Sequence, residues 1–169
     1  LDFGENKVQE ALDKWSNIKL QKPNIKLHLL GGLQTNKVKF AIQIFDFIHS
    51  VDSKKLAKKI SDEQIKHRKN VKIFIQVNIG NENQKSGVKK NELDSLFSYC
   101  RELGLNVIGL MCIPPANLDP VPFFKELKVL NDGLNLSDLS MGMSSDYKEA
   151  IDNFSTYLRI GSEIFGKRD

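Results

Sequence analysis

Cysteine is scarce in this chain, which has only Cys100 and Cys112. Two thiols cannot staple a small secreted scaffold, and their spacing matches no metal-ligand pattern. Cys100 falls on the apolar face of a helical segment and Cys112 in a strand-like one. Both are therefore expected as reduced core residues of a cytoplasmic protein, with no metal site. Long hydrophobic runs are missing too: no stretch approaches the roughly 18 apolar residues of a membrane helix, so no membrane partner is expected. The absence of low-complexity tracts and long linkers leaves 169 residues as one domain, residues 1–169, with a sizeable core. The formal charge is +4, and the basic excess is densest between Lys54 and Lys72. That stretch lacks the aromatic platforms or Gly/Arg repeats of a nucleic-acid surface, and reads as an outer helix with a solvated lysine face. No methionine opens the chain either. Leu1-Asp2-Phe3-Gly4 reads as the tail of a strand, so a domain begun upstream is expected and a targeting segment there stays open.

What the sequence does have is alternation. Val8, Ala11, Leu12 and Trp15 mark a helical face, and Leu27 to Leu30 a strand closed by Gly31-Gly32. A helix from Thr35 to Ile44, a strand Phe47 to Val51, and a helix opened by Ser53 and carrying Leu56, Ile60 and Ile65 follow. Val71 to Ile79 is nearly all apolar and β-branched, as in strands buried on both faces. Leu93, Leu96, Phe97, Cys100 and Leu103 form a helical stripe ending at Gly104, a C-cap signal. A strand Val107 to Ile113 stops at Pro114-Pro115, and a helix with Phe123, Phe124, Leu127 and Leu130 comes next. The strand Leu139 to Met143, a helix from Asp146 to Asn153, the strand Tyr157 to Ile160 and a short helix complete the series.

Such repetition implies parallel strands with helical crossovers, either a doubly wound open sheet or a closed (β/α)8 TIM barrel. Polar residues stand just after nearly every strand: Glu5-Asn6, Gln34-Asn36, His49-Asp52, Asn78, Ser144, and Arg159 with Ser162. Only a barrel gathers all strand ends at one mouth, so the barrel is the expected fold. The count reaches seven strands with Leu1 to Phe3 included, which places the missing member before Leu1.

Two late segments carry the chemistry. Ser140-Met141-Gly142-Met143-Ser144-Ser145-Asp146 and Leu158-Arg159-Ile160-Gly161-Ser162 each read as a strand running through a small-residue turn into a helix. Such turns present free N–H groups and hydroxyls to an anion, and Arg159 would set a cation beside them. The alternatives are that Ser144 and Ser162 are simple N-caps and that Arg159 belongs to a structural salt bridge.

These residues, with Phe3-Gly4-Glu5-Asn6, His28-Leu29-Leu30-Gly31-Gly32-Leu33-Gln34-Thr35-Asn36-Lys37, Ile48-His49-Ser50-Val51-Asp52, Gln76-Val77-Asn78-Ile79, Lys85-Ser86-Gly87 and Gly109-Leu110-Met111, resemble the YggS/PROSC family of pyridoxal phosphate homeostasis proteins. The resemblance implies a barrel of the alanine racemase N-terminal type that binds pyridoxal 5′-phosphate (PLP) as a Schiff base on a lysine. The family's lysine ends its first strand in a Val-Ser-Lys-Thr type run. No such run occurs here, so the resemblance puts the first strand and helix, and the lysine, upstream of Leu1; covalent attachment of PLP requires it. The resemblance also implies that Ser144, Gly161 and Ser162 hold the cofactor phosphate, that Arg159 faces the pyridine nitrogen, and that Asn6 meets the phenolic oxygen. Asn6 could instead cap the helix that follows it. Lys37 could attract a second anionic ligand, or be an ordinary exposed lysine. His28 and His49 read as core histidines, and Asp52 and Asp146 as loop or cap residues. Many relatives have glycine where this chain has Phe154, so the turn into the last strand is expected to differ.

The function implied is storage, buffering or delivery of PLP, with PLP-dependent apo-enzymes as recipients, a monomeric state and little or no turnover. The alternatives are a PLP-dependent amino-acid racemase or decarboxylase, which needs a second acid–base group across the ring, and a barrel for another phosphorylated metabolite.

Overall fold

A computed structural model describes residues 1–166. Seven strands, β1 (Asp2–Glu5), β2 (Lys26–Leu29), β3 (Phe47–Val51), β4 (Lys72–Gln76), β5 (Asn106–Met111), β6 (Asp138–Met143) and β7 (Tyr157–Arg159), form one sheet in sequential order. Every pairing is parallel. Between them run α1 (Val8–Gln21), α2 (Val38–Ile44, entered through a 3-10 turn at Thr35–Lys37), α3 (Lys54–His67), α4 (Leu93–Glu102), α5 (Val121–Gly133) and α6 (Tyr147–Asp152); α7 (Ser162–Phe165) follows β7. Sequential order excludes the doubly wound sheet, whose first strand lies inside the sheet rather than at its edge.

The sheet curls on itself. Tyr157 of β7 stands 5.8 Å, ring centre to ring centre, from His28 of β2, and Ser140 of β6 lies 2.8 Å from His49 of β3. Contacts between strands so far apart in order require a nearly closed barrel. β1 and β7 are not paired with each other among the described residues. The strand pleat then sorts the residues into two sets. One set faces the helices and builds the main core: Leu27, Leu29, Ile48, Ile73, Ile75, Leu110, Leu139 and Met141, against Ala11, Trp15, Ile42, Ile60, Leu96 and Phe124. The other faces the lumen, where Phe47, Phe74 and Met111 pack with Ile108 and Tyr157.

The sequence expectations hold closely. Ser53 caps α3, its hydroxyl accepting from Leu56 N–H, and Gly104 adopts φ +68° just past α4. Three points differ. Ile65, expected on the buried stripe of α3, is 74% exposed. The buried face of α3 runs through Leu56, Ile60 and Gln64, and Ile65, five residues past Ile60, lies roughly 140° round the helix from it. The strand expected over Val71 to Ile79 ends as a regular strand at Gln76; Val77 makes only an isolated bridge to Val88. The turn before β7 places a non-glycine residue in a glycine-type conformation. Phe154 adopts φ +69°, the left-handed conformation natural to glycine, with its ring exposed. A side chain there costs stability. Phe154→Gly is expected to raise stability by about 0.5–1 kcal/mol, read as a higher urea midpoint at unchanged slope.

Candidate functional site

The mouth of the barrel lies at the carboxyl ends of the strands, and the last two strands set the centre of the site. Met143 is the register partner of Arg159, so the residues just past each, Ser144 and Gly161, emerge side by side. The Ser144 hydroxyl accepts a hydrogen bond from Gly161 N–H at 3.3 Å. Gly142 lets α6 pack closely behind this turn: it has φ +91°, and a Cβ there would stand 2.5 Å from Ala150 Cβ. Asp146 fixes the same turn by accepting from Met143 N–H at 2.6 Å. Neither serine is an N-cap, because Gly161 precedes α7, Ser162 is its first residue, and α6 starts after Asp146.

Arg159 points into the lumen. It donates to Ser140 Oγ at 2.9 Å and to the Cys112 carbonyl at 2.8 Å. Both acceptors are neutral, and among the described residues no carboxylate forms an ion pair with it. The structural salt bridge that the sequence also allows is therefore not formed among the described residues. Burial pulls the guanidinium pKa down from its ordinary value, with the Cys112 and Asp146 charges opposing. An arginine remains a cation nonetheless. A half-buried cation with neutral partners only is costly unless something electron-rich comes to it.

Asn6 follows β1 at the same end, exposed, and does not cap α1, whose capping position is Lys7 with no side-chain bond. Gly31 lets the β2 end pass close by: a Cβ there would lie 2.2 Å from the Asn6 carbonyl oxygen. Lys37 sits on the 3-10 turn after β2, half-buried, and no hydrogen bond or ion pair joins it to Ser144, Arg159, Gly161 or Ser162 among the described residues. The structure thus joins Ser144 to Gly161 at the ends of the strands that carry Met143 and Arg159, with Ser162 next in the chain, and leaves Asn6 and Lys37 apart from them. Glu5, polar and at a strand end, is occupied elsewhere. It accepts from the Trp15 indole N–H and from Lys14, both at 2.7 Å, and so anchors α1. Asn78 likewise serves a loop, bonding Glu82 and Lys85 backbone groups.

The sequence reads His28 and His49 as core residues, and both are buried. What the sequence reading missed is that they form part of the site. His28 Nε2 meets Asp2 Oδ1 at 3.1 Å, His28 Nδ1 meets His49 Nε2 at 2.9 Å, and His49 Nδ1 meets Ser140 Oγ at 2.8 Å, the atom that also receives Arg159. Their rings stack on Phe47 and Phe74 respectively. Burial lowers the pKa of His28, with the Asp2 carboxylate partly opposing. His49 lies well below the usual value, first from burial and then from the His28 and Arg159 charges. The available signal was parity: His49 is two residues from Phe47, so both face the lumen, and a hydroxyl at Ser140 interrupts an otherwise apolar strand.

The family model described as alanine racemase, N-terminal domain, matches residues 2–169. The chain is 41% identical over 176 residues to the pyridoxal phosphate homeostasis protein of Aquifex aeolicus strain VF5, covering 98% of this chain and 76% of that one. Among solved structures it is similar to PipY of Synechococcus elongatus PCC7942 with PLP bound, at TM-score 0.89 and 33% identity, covering 97% of this chain and 81% of that one. Alanine racemase of Clostridium difficile 630, at TM-score 0.76 and 13% identity over 99% of this chain and 45% of that one, shares the fold. A family model and a relative that each span nearly the whole chain agree with the barrel and its mouth: the protein belongs to the pyridoxal phosphate homeostasis (YggS/PROSC) family, built on the alanine racemase N-terminal-domain fold.

Proposed function

We propose that this protein binds PLP at the barrel mouth and serves PLP homeostasis, holding and releasing the cofactor with little or no turnover. The observation that carries the reading is Arg159, a half-buried cation given only neutral acceptors among the described residues, beside the Ser144–Gly161 turn. That donor set fits the two electron-rich ends of PLP. Ser144, Gly161 and Ser162 offer hydroxyl and amide donors to the phosphate, whose roughly two negative charges reward several charge-assisted bonds at once. Arg159 faces the pyridine nitrogen, and because a guanidinium does not give up its proton, that nitrogen stays unprotonated. Asn6 stands to meet the phenolic oxygen. When bound, PLP supplies an electrophilic aldehyde and an electron-withdrawing ring, and an unprotonated ring nitrogen makes that ring a weak electron sink.

Weak turnover has further support in this chain's own acid–base groups. Burial pushes the Cys100 and Cys112 thiols up to about 12, so neither is a ready proton carrier at neutral pH. The Tyr157 phenol is also raised, chiefly by burial. PLP held here is available for release to apo-enzymes from a monomer. Similarity to relatives named for PLP homeostasis and to a PLP-bound structure supports the same reading.

Calorimetric titration tests it. PLP is expected to bind saturably, with pyridoxal, which lacks the phosphate, at least about tenfold weaker. Equal affinities for the two, or no binding of PLP, would overturn the proposal. Release is checked by adding the loaded protein to a PLP-dependent apo-enzyme and following recovery of that enzyme's activity. Racemisation of L-alanine at enzymatic rates by the protein itself would replace homeostasis with catalysis.

A further inference from the structure

The hydrogen bonds through the lumen have only one consistent direction. Arg159 can only donate, so Ser140 Oγ accepts from it at 2.9 Å. The other neighbour of that oxygen is His49 Nδ1 at 2.8 Å, which either accepts the hydroxyl proton or donates a second bond to the oxygen. With Nδ1 accepting, a neutral His49 carries its proton on Nε2 and donates to His28 Nδ1 at 2.9 Å. His28 in turn carries its proton on Nε2 and donates to the Asp2 carboxylate, which can only accept, at 3.1 Å. The acceptor-only Asp2 carboxylate therefore fixes both tautomers and gives the Ser140 proton to His49. The opposite sense would set the bare His28 Nε2 lone pair against a carboxylate.

We infer that His28 and His49 are positioning residues which, through Ser140, hold the Arg159 guanidinium in the orientation that meets the ring of bound PLP, an inference resting on the function proposed above. The chain links the solvent-exposed Asp2 at the start of β1 to the lumen side of Arg159 at the end of β7. Without the imidazole acceptor, the Ser140 hydroxyl turns to seek another one, and its lone pairs no longer stand where Arg159 donates. The surroundings keep both imidazoles neutral. His28 has Asp2, Asp46 and Lys72 as charged neighbours, with Phe47 and Tyr157 on its ring; His49 has Arg159 and His28, with Phe74 and Tyr157. An extra proton on His28 would reverse the sense of the whole chain. His28 Nδ1 would then donate to His49, His49 Nδ1 to Ser140, and the Ser140 hydroxyl would lose its acceptor.

Two measurements test this. In the ligand-free protein, proton–nitrogen correlation spectra of the imidazoles at neutral pH are expected to show both histidines neutral with the proton on Nε2. A proton on Nδ1 of either would overturn the inference, whatever the outcome with PLP. The second measurement is PLP affinity by calorimetry, with inorganic phosphate as control. His49→Phe keeps the ring and its stack on Phe74 but removes the acceptor, and is expected to weaken PLP about tenfold. His49→Asn, whose side-chain carbonyl takes the place of Nδ1, is expected to stay within about threefold of the parent. Phosphate affinity should be unchanged in both, because the Ser144–Gly161 turn is not part of the chain. Parent-like PLP binding by His49→Phe would overturn the inference. Should that variant not fold, Ser140→Ala severs the same link and carries the same expected tenfold loss. Failure of the parent protein to bind PLP would defeat the functional reading alone, since the tautomers report on the chain without any ligand.

Discussion

Arg159→Leu is expected to weaken PLP binding by about 100-fold while moving the melting temperature by less than about 3 °C. The binding loss is that of a charged hydrogen bond to the cofactor ring, about 1.5–3 kcal/mol, together with the cation's attraction for the bound phosphate. The small stability change is the more diagnostic half. Removing the side chain forfeits hydrogen bonds to Ser140 Oγ and the Cys112 carbonyl, about 1 kcal/mol each. It also relieves the burial of a cation that has no carboxylate partner among the described residues, a cost of similar size. Calorimetric titration and thermal melts on the same preparation measure both halves. A variant that melts far below the parent would mark Arg159 as a structural residue; one that binds PLP as the parent does would remove it from the site.

Mild acid is expected to destabilise the fold well before carboxylates titrate. His28 and His49 have folded-state pKa values below the ordinary one, whereas in the unfolded chain they return to about 6.5. Below that pH the unfolded state takes up protons that the native state refuses, so unfolding becomes more favourable as pH falls. The slope is about 1.4 kcal/mol per pH unit for each histidine involved, and it continues until the native pKa is reached. Above about pH 6.5 the two states bind the same protons and this contribution is flat. Asp46 acts lower on the scale. Its pKa is lowered because the bonds from Lys19 and the Leu27 amide outweigh the opposing effect of burial, so its contribution persists through this window and is lost only in stronger acid. Urea unfolding at intervals from pH 7 to pH 5 should show a steadily falling midpoint, with about half the slope in His49→Phe. A flat profile would mean that the imidazoles are not held neutral.

Much of the barrel was legible because its signals are local. A buried parallel strand announces itself in Lys72–Gln76 by β-branched residues over one short segment. An outer helix does so in Leu93–Glu102 by a stripe that any four-residue window contains. Ser53 and Gly104 mark helix ends by the conformations their own residues prefer. The Ser144–Gly161 turn was legible for the same reason, since each residue follows a strand end within two residues. Phe154 went the other way: its residue type argued against a left-handed turn, yet the chain adopts φ +69° there. Ser155 helps to explain why. Its hydroxyl donates to the Met141 carbonyl at 2.7 Å and its amide to the Ala150 carbonyl at 2.9 Å, so the segment after Phe154 is anchored to β6 and α6.

The amino-acid sequence by itself determined the alternation of strands and helices, their order, the choice of a barrel, and the mouth residues Asn6, Ser144, Arg159, Gly161 and Ser162. Only the tertiary structure decided what Arg159 rests on. His49 and Ser140 are 91 residues apart. No local propensity places an imidazole against a hydroxyl across such a distance; the register of seven strands and the curl of the sheet do. Pattern along a chain reflects the environment of one segment at a time, whereas a hydrogen-bond chain across a lumen exists only once distant strands have taken their places around it.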